Sequence, residues 1–83
     1  MNIVFGKRLG PDPHAGGMQT PAVRGCPDIF ELTTGDFAVI GPDITGDAVG
    51  KLPGTASCGP DERIIFVPRK TLVLAKTDIP DKL

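Results

Sequence analysis

The 83-residue sequence has no tryptophan and no tyrosine, only four phenylalanines, two cysteines and a single histidine. Without large aromatic side chains the core must be built from short aliphatic ones. A chain of this length also buries only about 60% of the surface its unfolded form exposes. Net stability is then expected to be no more than ~3–5 kcal/mol, so association with itself or with a partner brings a large relative gain. Two cysteines and the lone His14 do not supply the four ligands of a structural zinc site. No apolar run approaches the roughly 20 residues that cross a bilayer. The start, MNIVFGKR, turns polar too soon for the core of a secretory signal. A cytoplasmic location is therefore expected, and with it free thiols at Cys26 and Cys58, because disulfides are rare in reducing compartments. A Cys26–Cys58 disulfide is the alternative reading for an oxidising compartment. Excess positive charge is absent as well: nine Lys and Arg against ten Asp and Glu leave a net charge of -1. That balance argues against nucleic-acid binding through overall potential.

What the chain does have is turn-forming residues, eleven Gly and nine Pro. They crowd residues 6–25, GKRLGPDPHAGGMQTPAVRG, which show neither a helical nor a strand period. Residues 1–25 therefore read as a flexible Gly/Pro-rich arm and residues 26–83 as a single small domain. Within the arm, NIVF is suited to pair as a short edge strand, and His14 reads as a solvated loop histidine. Charge is unevenly spread: Asp28, Glu31, Asp36, Asp43 and Asp47 face only Lys51 in the middle of the chain, whereas Arg63, Arg69, Lys70 and Lys76 gather toward its end.

The segment GCPDIFELTTGDFAVIGPDIT carries the clearest order. Residues 28–32 and 36–41 favour strand, and the TTG between them supplies a glycine for a tight turn. With Thr34 and Gly35 as a two-residue turn, Leu32 would face Phe37 and Phe30 would face Val39. Phe30, Leu32, Phe37 and Val39 then form an apolar face, while Ile29, Glu31, Ala38 and Ile40 form a mixed one open to a protein partner. After GPD, the segment ITGDAVGKLP is compatible with one or two turns of helix capped by Asp43 or Thr45 and weakened by Gly46 and Gly50.

ERIIFVP, residues 62–67 and the closing Pro68, predicts a third strand buried on both faces. Pro68 is also suited to start a helix, and PRKTLVLAK predicts one over 69–76, with Leu72, Val73 and Ala75 inward. A fourth strand over TLVLAK fits the apolar pattern too. The expected fold is α+β: a three-stranded antiparallel sheet made of the hairpin plus the third strand, covered by one C-terminal helix.

Signatures of chemistry are weak. GPD recurs at Gly10, Gly41 and Gly59 at unequal intervals, as turn chemistry and not as a repeat. GDAVGKLP lacks the hydroxyl residue after Lys51 that a phosphate-cradling loop requires. The acidic residues lack calcium-loop spacing. Cys26, Cys58 and Ser57 have no base placed by sequence, and acidic neighbours oppose a thiolate at Cys26. No cofactor is expected, and no enzyme activity. Arg63, Arg69 and Lys70 are the residues that could reach nucleic-acid phosphate, but no aromatic residue interleaves with them for base stacking.

The pattern CPDIFELTTGDFAVIG followed by DERIIFVPRKTLVLAK resembles a group of small uncharacterised actinobacterial proteins of the Streptomyces type. In those a Cys-Pro leads a strand, a Thr-Gly turn follows, a second strand ends in Gly, and an acidic residue precedes a strand ending in Pro. The resemblance covers residues 26–76 and touches Cys26, Pro27, Gly35, Gly41, Glu62, Pro68 and Leu72. Such proteins look like companions of helix-turn-helix regulators. The resemblance implies a non-enzymatic role in transcription regulation through protein–protein interaction with such a regulator. The chain departs from the pattern in its long arm and in Gly46 and Gly50. A second likeness, to small homodimeric DNA-binding regulators of the antitoxin or transition-state-regulator kind, implies self-association and DNA contact instead; the order of elements differs.

Overall fold

A computed structural model gives the fold; it describes residues 1–12 and 27–83. His14, Cys26 and residues 13–25 of the expected arm lie outside the described residues. The architecture is α+β, with a three-stranded antiparallel sheet in the order β1-β2-β3. Its strands are β1 Phe5–Arg8, β2 Asp28–Leu32 and β3 Phe37–Ile40. Two short helices follow, α1 Thr45–Ala48 and α2 Arg69–Ala75. The single C-terminal helix of the sequence reading is thus joined by a second, and the α1 turn continues as a 3₁₀ turn over Val49–Lys51.

The hairpin forms where expected, but its register differs by one residue. Ile29 stands opposite Val39 and Glu31 opposite Phe37. The connection is three residues long: the Leu32 N–H donates to the Asp36 carbonyl at 2.8 Å and the Gly35 N–H to the Leu32 carbonyl at 2.9 Å. Two-residue turns of the commonest kind require positive φ at both positions, which the β-branched Thr34 resists. The longer loop needs it only at Gly35, whose φ is +93°. Because side chains alternate along a strand, this slip exchanges the faces. Ile29 and Glu31 share a face with Phe37 and Val39, and Phe30 and Leu32 share the other with Ala38 and Ile40.

The third strand is also not the one expected. β2 is the central strand, and the place beside it is taken by β1, which pairs Phe5 with Leu32 and Arg8 with Phe30 across an irregularity. Residues 5–8 of the expected arm are therefore part of the sheet. The edge strand anticipated at NIVF sits three residues later, with the Val4 carbonyl accepting from the Thr33 N–H at 3.0 Å. Residues 62–67 instead run beside the chain that leaves β3. A lone antiparallel bridge joins Asp43 and Ile65, flanked by bonds from the Ile44 N–H to the Ile64 carbonyl and from the Phe66 N–H to the Pro42 carbonyl, both 2.9 Å. Pro42 has no N–H to extend the ladder, and Pro68 ends the segment, so a ribbon and not a full strand results. Gly41 lets the two chains approach: a Cβ there would overlap the Phe66 carbonyl oxygen.

α2 begins after Pro68, whose ψ of 145° is extended, and whose carbonyl accepts from the Leu72 N–H. A 3₁₀ turn, Lys76–Asp78, prolongs it. Among the described residues the buried apolar ones are Leu9, Ile29 and Ala75. Of the three helix residues expected inward, only Ala75 is; Leu72 and Val73 are 54% and 57% exposed. The backbone at Gly10 explains the choice, since a Cβ there would lie 3.3 Å from Ala75 backbone atoms. Only a small residue on the helix permits that approach. The Leu9 N–H donates to the Ile29 carbonyl at 2.8 Å and the Gly10 N–H to Asp78 Oδ2 at 2.7 Å, fastening the N-terminal strand to the C-terminal turn.

Candidate functional site

Three groups of polar side chains and one apolar surface compete for a functional role. The first group ties β1 to β2. Arg8 Nε donates to both Asp28 oxygens, at 3.0 and 3.1 Å, and Arg8 Nη1 lies 3.5 Å from Asp12. The hydrogen bond to Asp28, opposed by desolvation, raises the Arg8 pKa above its ordinary value. The same guanidinium lies 4.9 Å over the Phe30 ring, which meets Phe5 edge-on at 5.3 Å. Asp28 also accepts from the Ile29 N–H. With its oxygens so engaged, this carboxylate holds the sheet edge in place and is poorly placed to move a proton.

The second group organises the start of α1. Asp43 Oδ1 accepts from the Thr45 hydroxyl at 2.6 Å and the Thr45 N–H at 3.0 Å. Thr45 Oγ1 in turn accepts from the Ile64 N–H at 2.8 Å. Asp43 Oδ2 is 4.0 Å from Arg63 Nε. The hydroxyl bond and then the backbone bond lower the Asp43 pKa; desolvation opposes them in part, and the Arg63 charge adds a still smaller lowering. One exposed aspartate thus fixes the turn that leads into α1, whose N-cap is Ile44 without a side-chain cap, and Thr45 ties that turn to the 62–67 segment.

Beside this lock lies a shallow hollow of about 480 Å³ lined by Leu52, Ser57, Cys58, Glu62, Arg63 and Ile64. Its thiol and carboxylate make the third group. Cys58 donates to the Glu62 carbonyl at 3.3 Å and to the Gly59 carbonyl at 3.8 Å, while the Glu62 side chain accepts from the Gly59 N–H at 2.7 Å. Both side chains close the 59–62 turn, and the acid does not address the thiol as a base would. Among the described residues, no group of three or more His, Cys, Asp and Glu is arranged to hold a metal ion. No helix among them is long and apolar enough to cross a membrane.

The apolar surface is the larger feature. Phe37 and Val39 remain exposed on the sheet face that carries Ile29, Phe5 and Ile40 on the other, and Phe66, Leu72 and Val73 beyond the sheet. The four residues expected to present one docking face are divided. Ile29 is core, Glu31 shares its face, and Ala38 and Ile40 point to the opposite side. Of the expected phosphate contacts, Arg69 and Lys70 are exposed in the first turn of α2, whereas Arg63 is set against Asp43. Phe37, Val39, Leu72 and Val73 escaped the sequence reading as surface residues. A helical wheel of RKTLVLAK carried the signal for Val73, because Ala75 and Val73, two residues and about 160° apart, cannot both point to the same neighbour.

No protein-family model matches the chain, nor does any curated protein or solved structure.

Proposed function

We propose that this chain is a non-enzymatic protein-interaction module, and that the finer form of this role is regulatory contact with a helix-turn-helix transcriptional regulator. The observation that carries the interaction reading is on α2, where the helix buries alanine and presents leucine and valine to solvent. Each large aliphatic side chain moved from water into an interface contributes about 1.5–3 kcal/mol, a large gain beside the three apolar residues buried among the described residues. The regulator as partner is supported by the sequence resemblance over residues 26–76 alone.

The test is affinity capture from a lysate of the source organism with the intact chain as bait. The Leu72→Asp, Val73→Asp double variant is the matched control, and circular dichroism verifies its fold. A protein held by the native chain and released by the variant supports the module, and its identification as a helix-turn-helix protein supports the finer reading. Capture of nothing by the native chain ends both.

DNA binding as a homodimer is the second reading, favoured by the exposure of Arg69 and Lys70. A salt-sensitive mobility shift with duplex DNA, abolished when both are changed to Gln, would bring it forward.

A further inference from the structure

Helix α2 and the turn that prolongs it have two opposite sides of different character. Thr71, Ala75 and Asp78 fall within about 60° of one another at about 100° per residue. This is the inner side, with Ala75 fully buried and Thr71 and Asp78 half-buried. Arg69, Leu72, Val73 and Lys76 stand at i, i+3, i+4 and i+7, the spacing of a single helix face. That face is outward along its whole length. Two aliphatic side chains are therefore bracketed by a cation at each end, with Lys70 and Leu74 on the flank. None of Arg69, Lys70 and Lys76 takes part in an ion pair among the described residues, and residues 69–76 contain no acid.

The charge pattern discriminates between occupants. A second copy laid antiparallel on this face would bring Arg69 of each chain to Lys76 of the other, and a parallel copy would set each cation against itself. Like charges so juxtaposed weaken association and reject the pairing. An anionic bilayer suits a basic apolar face in sign, but interfacial helices sink several apolar turns 5–10 Å deep. The seven-residue α2 offers two large outward aliphatic chains. A short helix with its own aliphatic stripe and carboxylates at the margins satisfies both the Leu72–Val73 ridge and the cations beside it.

We propose that the outer face of α2 docks an acidic amphipathic helix of another protein, its aliphatic residues against Leu72 and Val73 and its carboxylates at Arg69 and Lys76. This rests on the interaction reading above and names the chemistry of the partner. The contact is small, and so belongs with weak, transient interfaces.

The test uses the intact chain and two fluorescein-labelled synthetic amphipathic peptides of about four turns, the reach of helix-in-groove ligands. Both have leucine along one stripe; one carries glutamate and the other lysine at the remaining positions. Fluorescence anisotropy is expected to show saturable binding of the glutamate peptide and none of the lysine peptide. The Arg69→Glu, Lys76→Glu double variant, both sites being exposed, is expected to lose about ten-fold in affinity, and 0.5 M salt to weaken the native complex in the same direction. Equal binding of the two peptides, or binding of neither, overturns the proposal. So does binding to phosphatidylglycerol vesicles stronger than to the glutamate peptide. If neither peptide binds but the chain still captures a host protein through Leu72 and Val73, the acidic partner fails and the interaction module stands. If nothing is captured either, both fail.

Discussion

Ile29 and Val39 stand opposite each other across the hairpin and share one face of the sheet, yet Ile29 is 5% exposed and Val39 45%. The core formed with Leu9 and Ala75 thus covers the β2 side of that face and leaves the β3 side open. Ile29→Val is expected to cost about 0.5–1.5 kcal/mol, as methylene deletions in a core do. Val39→Thr should stay within about 0.5 kcal/mol. Urea denaturation of both variants measures the difference. The reverse order would restore the two-residue turn and its exchanged faces.

Gly35 carries the positive φ of the hairpin loop, and a Cβ there would meet nothing within 4 Å. Replacement by alanine therefore acts through the backbone alone, with an expected loss of about 1–2 kcal/mol. Asn, which tolerates the left-handed region, should recover part of it. Denaturation midpoints of the two variants give the comparison.

Arg8 and Asp28 are expected to be coupled. Asp28 is buried and Arg8 is about one-third exposed, so water screens the pair in part. Asp28→Ala should cost about 1–2 kcal/mol, chiefly from lost hydrogen bonds to a charged group. Once Arg8 is already Leu, the same change should cost less. A double-mutant cycle gives the coupling, and additivity within error would mean that the pair contributes nothing to joining β1 to β2.

The Asp43 pKa is lowered in the folded state, so its contribution to stability has a defined direction with pH. It is fully present above the ordinary aspartate pKa and disappears as the pH falls through the lowered folded value. Asp43→Asn should remove that part of the acid dependence and leave the slope near neutrality unchanged. Denaturation of both proteins in a pH series, compared as a difference, isolates this carboxylate from the others.

Local chemistry was legible in the sequence wherever the outcome depends on neighbours along the chain. β2 lies at its expected residues, the helix after Pro68 forms, and Asp43 bonds Thr45 at the start of α1 as turn chemistry requires. The register was not legible, because TTG admits two loops that differ by one residue and the choice depends on a φ that Thr34 avoids. The pairing of residues 62–67 was not legible either. Four apolar residues in a row suit a central strand, but the edge of β2 goes to Phe5–Arg8, whose Arg8 finds Asp28 there. Leu72 and Val73 looked like core by hydropathy. The close backbone at Gly10 admits Ala75 in their place, and that contact joins residues far apart in sequence. The expected docking face at Ile29, Glu31, Ala38 and Ile40 divided for the same reason as the register.

The most direct measurement is the solution mass of the intact chain by light scattering at two concentrations, with and without reductant. If α2 addresses an acidic partner and rejects its own copy, the protein is a monomer under all four conditions and its outer helix face is free. A dimer that persists on dilution and dissociates on Leu72→Asp would contradict the account, because the cations of α2 would then have met their own kind.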